Sequence, residues 1–219
     1  MKTQRTKAIL SMSLLLAFPT VARAAVVSIA DARASTGNVV TVRGTVTVPA
    51  GSFASSTFDQ GFALQDETGG IYVTMADNPG LTKGRKVRVT GTLADDGYGL
   101  AVLRVSGVAD VRPAVVASSP VPRVLPTGEV SDLTEGLLLQ VSGTVTRGPT
   151  NDMPYGYSVF IDDGSGETQV FIPASTGVNP YRIPFAKIGS RIQVTGFSAE
   201  YNGQFEVLPR VRADIQPLP

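Results

Sequence analysis

Apolar and polar positions alternate along residues 39–48, where Val40, Val42, Val46 and Val48 interleave with Thr41, Arg43, Thr45 and Thr47. Val87 and Val89 repeat the pattern between Lys86 and Arg88. A period of two is that of a strand with one face buried. Glycines and Asp/Asn-Gly clusters separate the runs and predict tight turns between them. The pattern predicts strands at 38–48, 61–66, 70–75, 85–93 and 98–108, then at 137–147, 157–162, 168–172, 190–198 and 204–212. Only two short helical turns fit, at 28–33 and 130–135.

The second group of strands repeats the first. Val39-Val40-Thr41-Val42-Arg43-Gly44-Thr45-Val46 is echoed by Leu138-Leu139-Gln140-Val141-Ser142-Gly143-Thr144-Val145. Phe62-Ala63-Leu64-Gln65-Asp66-Glu67-Thr68-Gly69 matches Val159-Phe160-Ile161-Asp162-Asp163-Gly164-Ser165-Gly166. Gly84-Arg85-Lys86-Val87-Arg88-Val89-Thr90-Gly91 matches Gly189-Ser190-Arg191-Ile192-Gln193-Val194-Thr195-Gly196. A weaker echo pairs Tyr98-Gly99-Leu100 with Asn202-Gly203-Gln204. Four blocks in the same order indicate a duplication. The copies occupy 25–112 and 127–219, and the intervening 113–126 carries four prolines and reads as an extended linker.

Residues 1–24 follow another grammar. Lys2, Arg5 and Lys7 precede an apolar run from Ala8 to Phe18, and Ala22-Arg23-Ala24 supplies small residues at a cleavage site. This is the order of a secretory signal peptide. The run is too short to span a bilayer, which needs about 20 apolar residues. No later segment is apolar enough for a span, so a periplasmic or secreted product is expected.

Charge changes meaning once that segment is set aside. The chain has 219 residues, 19 basic and 18 acidic. Losing Lys2, Arg5, Lys7 and Arg23 leaves 15 basic residues against 18 acidic ones, a net of −3. Through Arg123 the first copy holds nine basic and eight acidic residues, whereas the second holds six and ten. A general nucleic-acid binder shows a basic stripe, so such an activity belongs to the first copy. The chain has no His and no Cys. That removes imidazole bases, thiolate nucleophiles, Cys/His zinc sites and disulfides. A hydrolase would need paired carboxylates or a Ser–Lys dyad. Asp95 and Asp96 are adjacent on an extended chain and point apart, so no catalytic constellation is expected. Asp162-Asp163-Gly164-Ser165-Gly166-Glu167 has carboxylates at calcium-loop density but not EF-hand spacing. It reads as a plain turn, with no metal and no cofactor expected.

Five short strands per copy, a glycine inside the long first strand and a G-x-x-V-x-V-x-G fourth strand suit a small barrel. Val42-Arg43-Gly44-Thr45-Val46, Phe62 to Val73 and Leu81 to Gly91 resemble the OB-fold domains of the tRNA-anticodon type, which bind nucleic acid. Similar modules accompany secreted bacterial nucleases, and a small periplasmic stress-linked family is another exported OB group. The resemblance implies an all-β chain of two tandem five-stranded OB-fold-like barrels after the signal peptide. It also implies a binding face on strands one to three of each barrel, flanked by the loops after strands one and four.

Parity then selects the outward residues: Arg43 and Tyr72 in the first copy, Phe160 and Phe171 in the second. The two phenylalanines either stack a ligand or pack against the other barrel. Phe53, Phe58, Tyr155 and Tyr157 lie in the loops after the first strands, where they capture ligand or plug a barrel end. Lys83, Arg85, Lys86 and Arg88 form the densest positive cluster, either a solvated strand face or a phosphate site with Lys86 and Arg88 on one side. The resulting expectation is an exported, non-enzymatic binding module for single-stranded nucleic acid, with Arg43, Tyr72, Lys86, Arg88, Tyr157, Phe160 and Phe171 as ligand residues. A module for a cell-envelope glycan or a protein, and a carboxylate-dependent hydrolase, remain as other classes.

Overall fold

The computed structural model describes residues 25–117 and 119–219. The signal-peptide expectation falls on residues 1–24, outside the described residues. The first sheet comprises β1 (Val26–Val27), β2 (Val39–Val48), β3 (Phe62–Gln65), β4 (Gly70–Thr74), β5 (Arg85–Asp95), β6 (Ala101–Arg104) and β7 (Val111–Ala117). The second comprises β8 (Arg123–Val124), β9 (Leu138–Asp152), β10 (Gly156–Asp162), β11 (Thr168–Pro173), β12 (Arg191–Tyr201), β13 (Gln204–Leu208) and β14 (Ile215–Pro217).

In the first sheet the order is β1-β2-β3-β4-β6-β5-β7, and β2 also pairs with β5, so five strands close into a ring. In the second the order is β14-β12-β13-β11-β10-β9-β8, and the β9–β12 pairing closes a second ring. Each ring has one parallel contact, β4 with β6 and β11 with β13. Both rings therefore share one strand order, that of the OB-fold-like barrel. Among the described residues no helix is long and apolar enough to cross a membrane.

The alternating positions explain the rings. Val42, Val46, Leu64, Ile71, Val73, Val87 and Val89 fill the first ring, and Val141, Val145, Val159, Ile161, Val170, Ile172, Ile192 and Val194 fill the second. Helix α1 (Ile29–Arg33) starts where Ser28 accepts a hydrogen bond from the Asp31 amide, and it closes one end of the first ring with buried Ile29 and Ala32. Such a cap is worth about 1 kcal/mol. A 3₁₀ turn at Asp132–Thr134 occupies the corresponding place before the second ring. The loop after β2 carries one further helical turn, α2 (Ala54–Thr57).

The ends of the proline-rich stretch belong to the sheets. Residues Val111–Ala117 pair antiparallel with β5, and Arg123–Val124 pair parallel with β9.

Between the rings lies a third apolar core. Val48, Phe53, Ala63, Tyr72, Leu100 and Val102 of the first half meet Phe171, Phe197, Ala199 and Leu208 of the second. Phe197 is the hub, with ring centroids 5.9 Å from Tyr72 and 6.2 Å from Phe53. Polar contacts ring this core. Arg33 pairs with the buried Glu135 at 2.8 Å, and the same carboxylate accepts the Ala101 amide at 3.1 Å. The Leu138 amide donates to Gln65 Oε1 at 2.8 Å, and Arg210 donates to the Thr47 carbonyl at 2.9 Å. The backbones meet at Gly70 and Gly136, where a Cβ on Gly70 would stand 1.8 Å from the Gly136 oxygen.

Candidate functional site

The duplicated strands give each ring two outer faces, and the rings use them differently. The face of β3 and β4, with the loop before β3, is the surface that OB barrels commonly offer to ligands. Here it is covered by the second ring.

Tyr72 points out of its own ring, as the alternation requires, because Ile71 and Val73 point in. It is nevertheless only 1% exposed. Its hydroxyl donates to Asp59 Oδ1 at 2.8 Å. Burial, and then the neighbouring Asp59 carboxylate, raises the phenol well above its ordinary value. Phe171 likewise leaves its own ring and is buried in the shared core. The expectation that these two rings stack a ligand is therefore corrected, since each covers the other barrel. Ala63 belongs to the same covered face.

Tyr157 has the parity of Val159 and Ile161 and packs on the core of the second ring. Its ring meets Tyr181 edge to face at 5.9 Å. It is half-buried against that core, as the barrel-end alternative expects. Phe160 does point outward, but the Arg147 guanidinium lies 3.6 Å from its centroid. Arg147 Nε donates to Glu167 Oε2 at 3.0 Å, and this contact holds the Glu167 carboxyl below its usual range. The face of Phe160 is thus occupied from within the chain.

The remaining expected residues are brought together. Arg43 on β2 stands directly opposite Arg88 on β5, and Arg88 stands opposite Arg112 on β7. Lys86 lies on the same face of β5, opposite Thr45. Arg43 and Arg112 are exposed, and Lys86 and Arg88 are half-exposed. Among the described residues no ion pair involves any of the four. Like charges directly opposite on neighbouring strands are destabilising, so three arginines in register place repelling charges side by side. Beside them a shallow groove of about 440 Å³ runs between Arg43, Lys86 and the Asp66–Thr68 turn.

Sequence reasoning missed Arg112, which it placed at the end of a domain, next to a proline. No local signal marked it: the linker reading began at Pro113, and Arg112 joins the row only through the pairing of β7 with β5. An edge strand tolerates that proline, and β7 is an edge.

The duplicate ring shows what the same face looks like without the arginine row. The row Arg43–Arg88–Arg112 corresponds in register to Ser142–Gln193–Gln216 on β9, β12 and β14. The amide of Gln193 donates to Ser142 Oγ at 3.4 Å, and that of Gln140 to Thr195 Oγ1 at 3.2 Å. That row is neutral and self-satisfied, and Arg191, opposite Thr144, stands where Lys86 does in the first ring. The Asp162–Glu167 turn is self-satisfied too: Asp162 accepts the Gly164 and Gly166 amides, and Asp163 accepts from Ser165 and Thr127. These bonds, with the Ser165 hydroxyl first, bring the Asp163 carboxyl down to about 2.

No protein-family model matches the chain. Over 205 residues, 88% of its length, it is 30% identical to endonuclease YhcR of Bacillus subtilis, of which it spans 16%. Among solved structures, a murine DNA-binding protein bound to double-stranded DNA superposes with a TM-score of 0.37 at 12% identity, covering 77% of this chain and 92% of that one. The Ifi202 HINa domain in complex with double-stranded DNA gives 0.37 at 13% identity, covering 78% and 94%. A single-stranded DNA-binding protein from Thermus aquaticus gives 0.27 at 15%, covering 85% and 97%.

Proposed function

We propose that this chain is an exported, non-catalytic module that binds nucleic acid through the cationic face of its first ring. The in-register row Arg43–Arg88–Arg112 with Lys86, none of them in an ion pair among the described residues, carries this reading. Opposed arginines are tolerated in a folded sheet where an anion brings them a return, and phosphodiester oxygens suit guanidinium forks. The match to a segment of an endonuclease supports a role beside nucleic-acid chemistry. The lack of His and Cys, and carboxylates taken up in turns, support a binding role over a catalytic one. The order of basic, apolar and small residues in 1–24 supports export.

The duplication supplies the test. Arg43→Ser, Arg88→Gln and Arg112→Gln together give the first ring the residues that the second already folds with. Fluorescence anisotropy with labelled oligonucleotides at about 50 and about 200 mM salt should show binding that weakens steeply with salt. The triple variant should lose most of that binding without a lower melting temperature. Unchanged binding by the folded variant removes the proposed site.

A further inference from the structure

The arginine row differs from a single-strand groove in what is missing around it. Outward positions on β2 and β5 are Thr41, Arg43, Thr45, Lys86, Arg88 and Thr90, none of them aromatic. Of the strand aromatics that parity sends outward, Tyr72 and Phe171 are sealed in the core between the rings, and Phe160 is capped by Arg147. Proteins that hold single strands without sequence preference combine a positive track with aromatic platforms on which bases stack. This face has the track and no platform.

We infer that the cationic row takes the phosphate backbone of duplex nucleic acid and does not read bases, an inference that rests on the nucleic-acid reading above. Neighbouring strands lie about 4.8 Å apart, so the three arginines span roughly 10 Å of the sheet face. Lys86 stands about 7 Å further along β5. A duplex presents one phosphate per about 1.7 Å of axis, against about 3.4 Å for one of its strands. A four-cation patch therefore meets about twice the charge density on a duplex, and with no stacking to offset the difference it favours the duplex. Backbone contacts carry no sequence information, so composition should not matter.

The second ring makes the site single. Its Ser142–Gln193–Gln216 row offers hydroxyl and amide groups but no charge, which leaves Arg191, opposite Thr144, without the three arginines that flank Lys86, and one chain should occupy one site.

The experiment is anisotropy titration of the full exported chain against a mixed-sequence duplex, each of its separated strands, and A·T-only and G·C-only duplexes. The duplex should bind more tightly than either strand, and the two compositions should agree within about twofold. Four phosphate contacts predict a log–log salt slope near −3.6, roughly a hundredfold loss between about 50 and about 200 mM. The triple variant should leave a slope near −1 from Lys86. Tighter binding of a single strand, or a tenfold preference for one composition, overturns the inference while leaving the nucleic-acid reading intact. Absence of binding to every probe at low salt overturns that reading itself.

Discussion

Glu206 lies on β13 opposite Ala199 and Gln169, 7% exposed, with no ion pair among the described residues. Burial first, then the nearby Asp152 carboxylate, raises its carboxyl to about 8 from an ordinary 4.5. The folded chain thus holds one more proton than the unfolded chain between those values. Stability from this group is full below pH 4.5, falls as pH rises, and is lost above pH 8. The fall is up to about 1.4 kcal/mol per pH unit inside the window. Urea unfolding of Glu206→Gln should show a flatter pH profile and greater stability than the parent above pH 8. Equal profiles would remove Glu206 as the cause. Tyr72 makes a different residue-level case. Tyr72→Ala removes a ring from the shared core and should destabilise by about 3 kcal/mol, yet leave nucleic-acid affinity of the remaining folded protein unchanged. A selective loss of affinity would restore Tyr72 as a ligand residue.

The elements show why some of this was legible in the sequence and some was not. Alternation around Val42, Leu64 and Val87 located the five strands of the first ring and the cap at Ile29–Arg33 because period and capping are local properties. Parity sent Tyr72 and Phe171 outward correctly, but what covers an outward face is decided by the other barrel. Val48 shows a finer failure. Alternation assigns it the side of Val46, and a register irregularity between those residues turns it into the shared core instead. A bulge adds one residue and flips the pattern beyond it. The row of cations was half legible, because Lys86 and Arg88 share a strand whereas Arg43 and Arg112 join them only through pairing. Replacing Arg88 alone should lower the salt slope by about 1, since it sits between two arginines. An unchanged slope would show that Arg88 makes no phosphate contact.

At the scale of the whole molecule, the shared core should make the two rings unfold as one cooperative body. The rings meet backbone to backbone at Gly70 and Gly136, where side chains have no room. Gly70→Val should push the rings apart, and calorimetry should then resolve two transitions where the parent should show one. A single transition in the variant would show that the rings unfold together without this contact. Arg33→Ala tests the polar rim, since it leaves the buried Glu135 with the Ala101 amide alone. Removing one partner of a buried pair costs about 3–5 kcal/mol, so the melting temperature should drop sharply.

The uncharged row on the second ring has a consequence for strength of attachment. On the proposed nucleic-acid reading, one small patch per molecule should give short-lived contacts at physiological ionic strength, so a lone chain should hop along nucleic acid and not stay. Tethering two such patches would turn the second contact into an intramolecular event and raise retention by about 10²–10⁴-fold without altering either surface. The same reading predicts a face that holds a polymer close for any partner tethered to it.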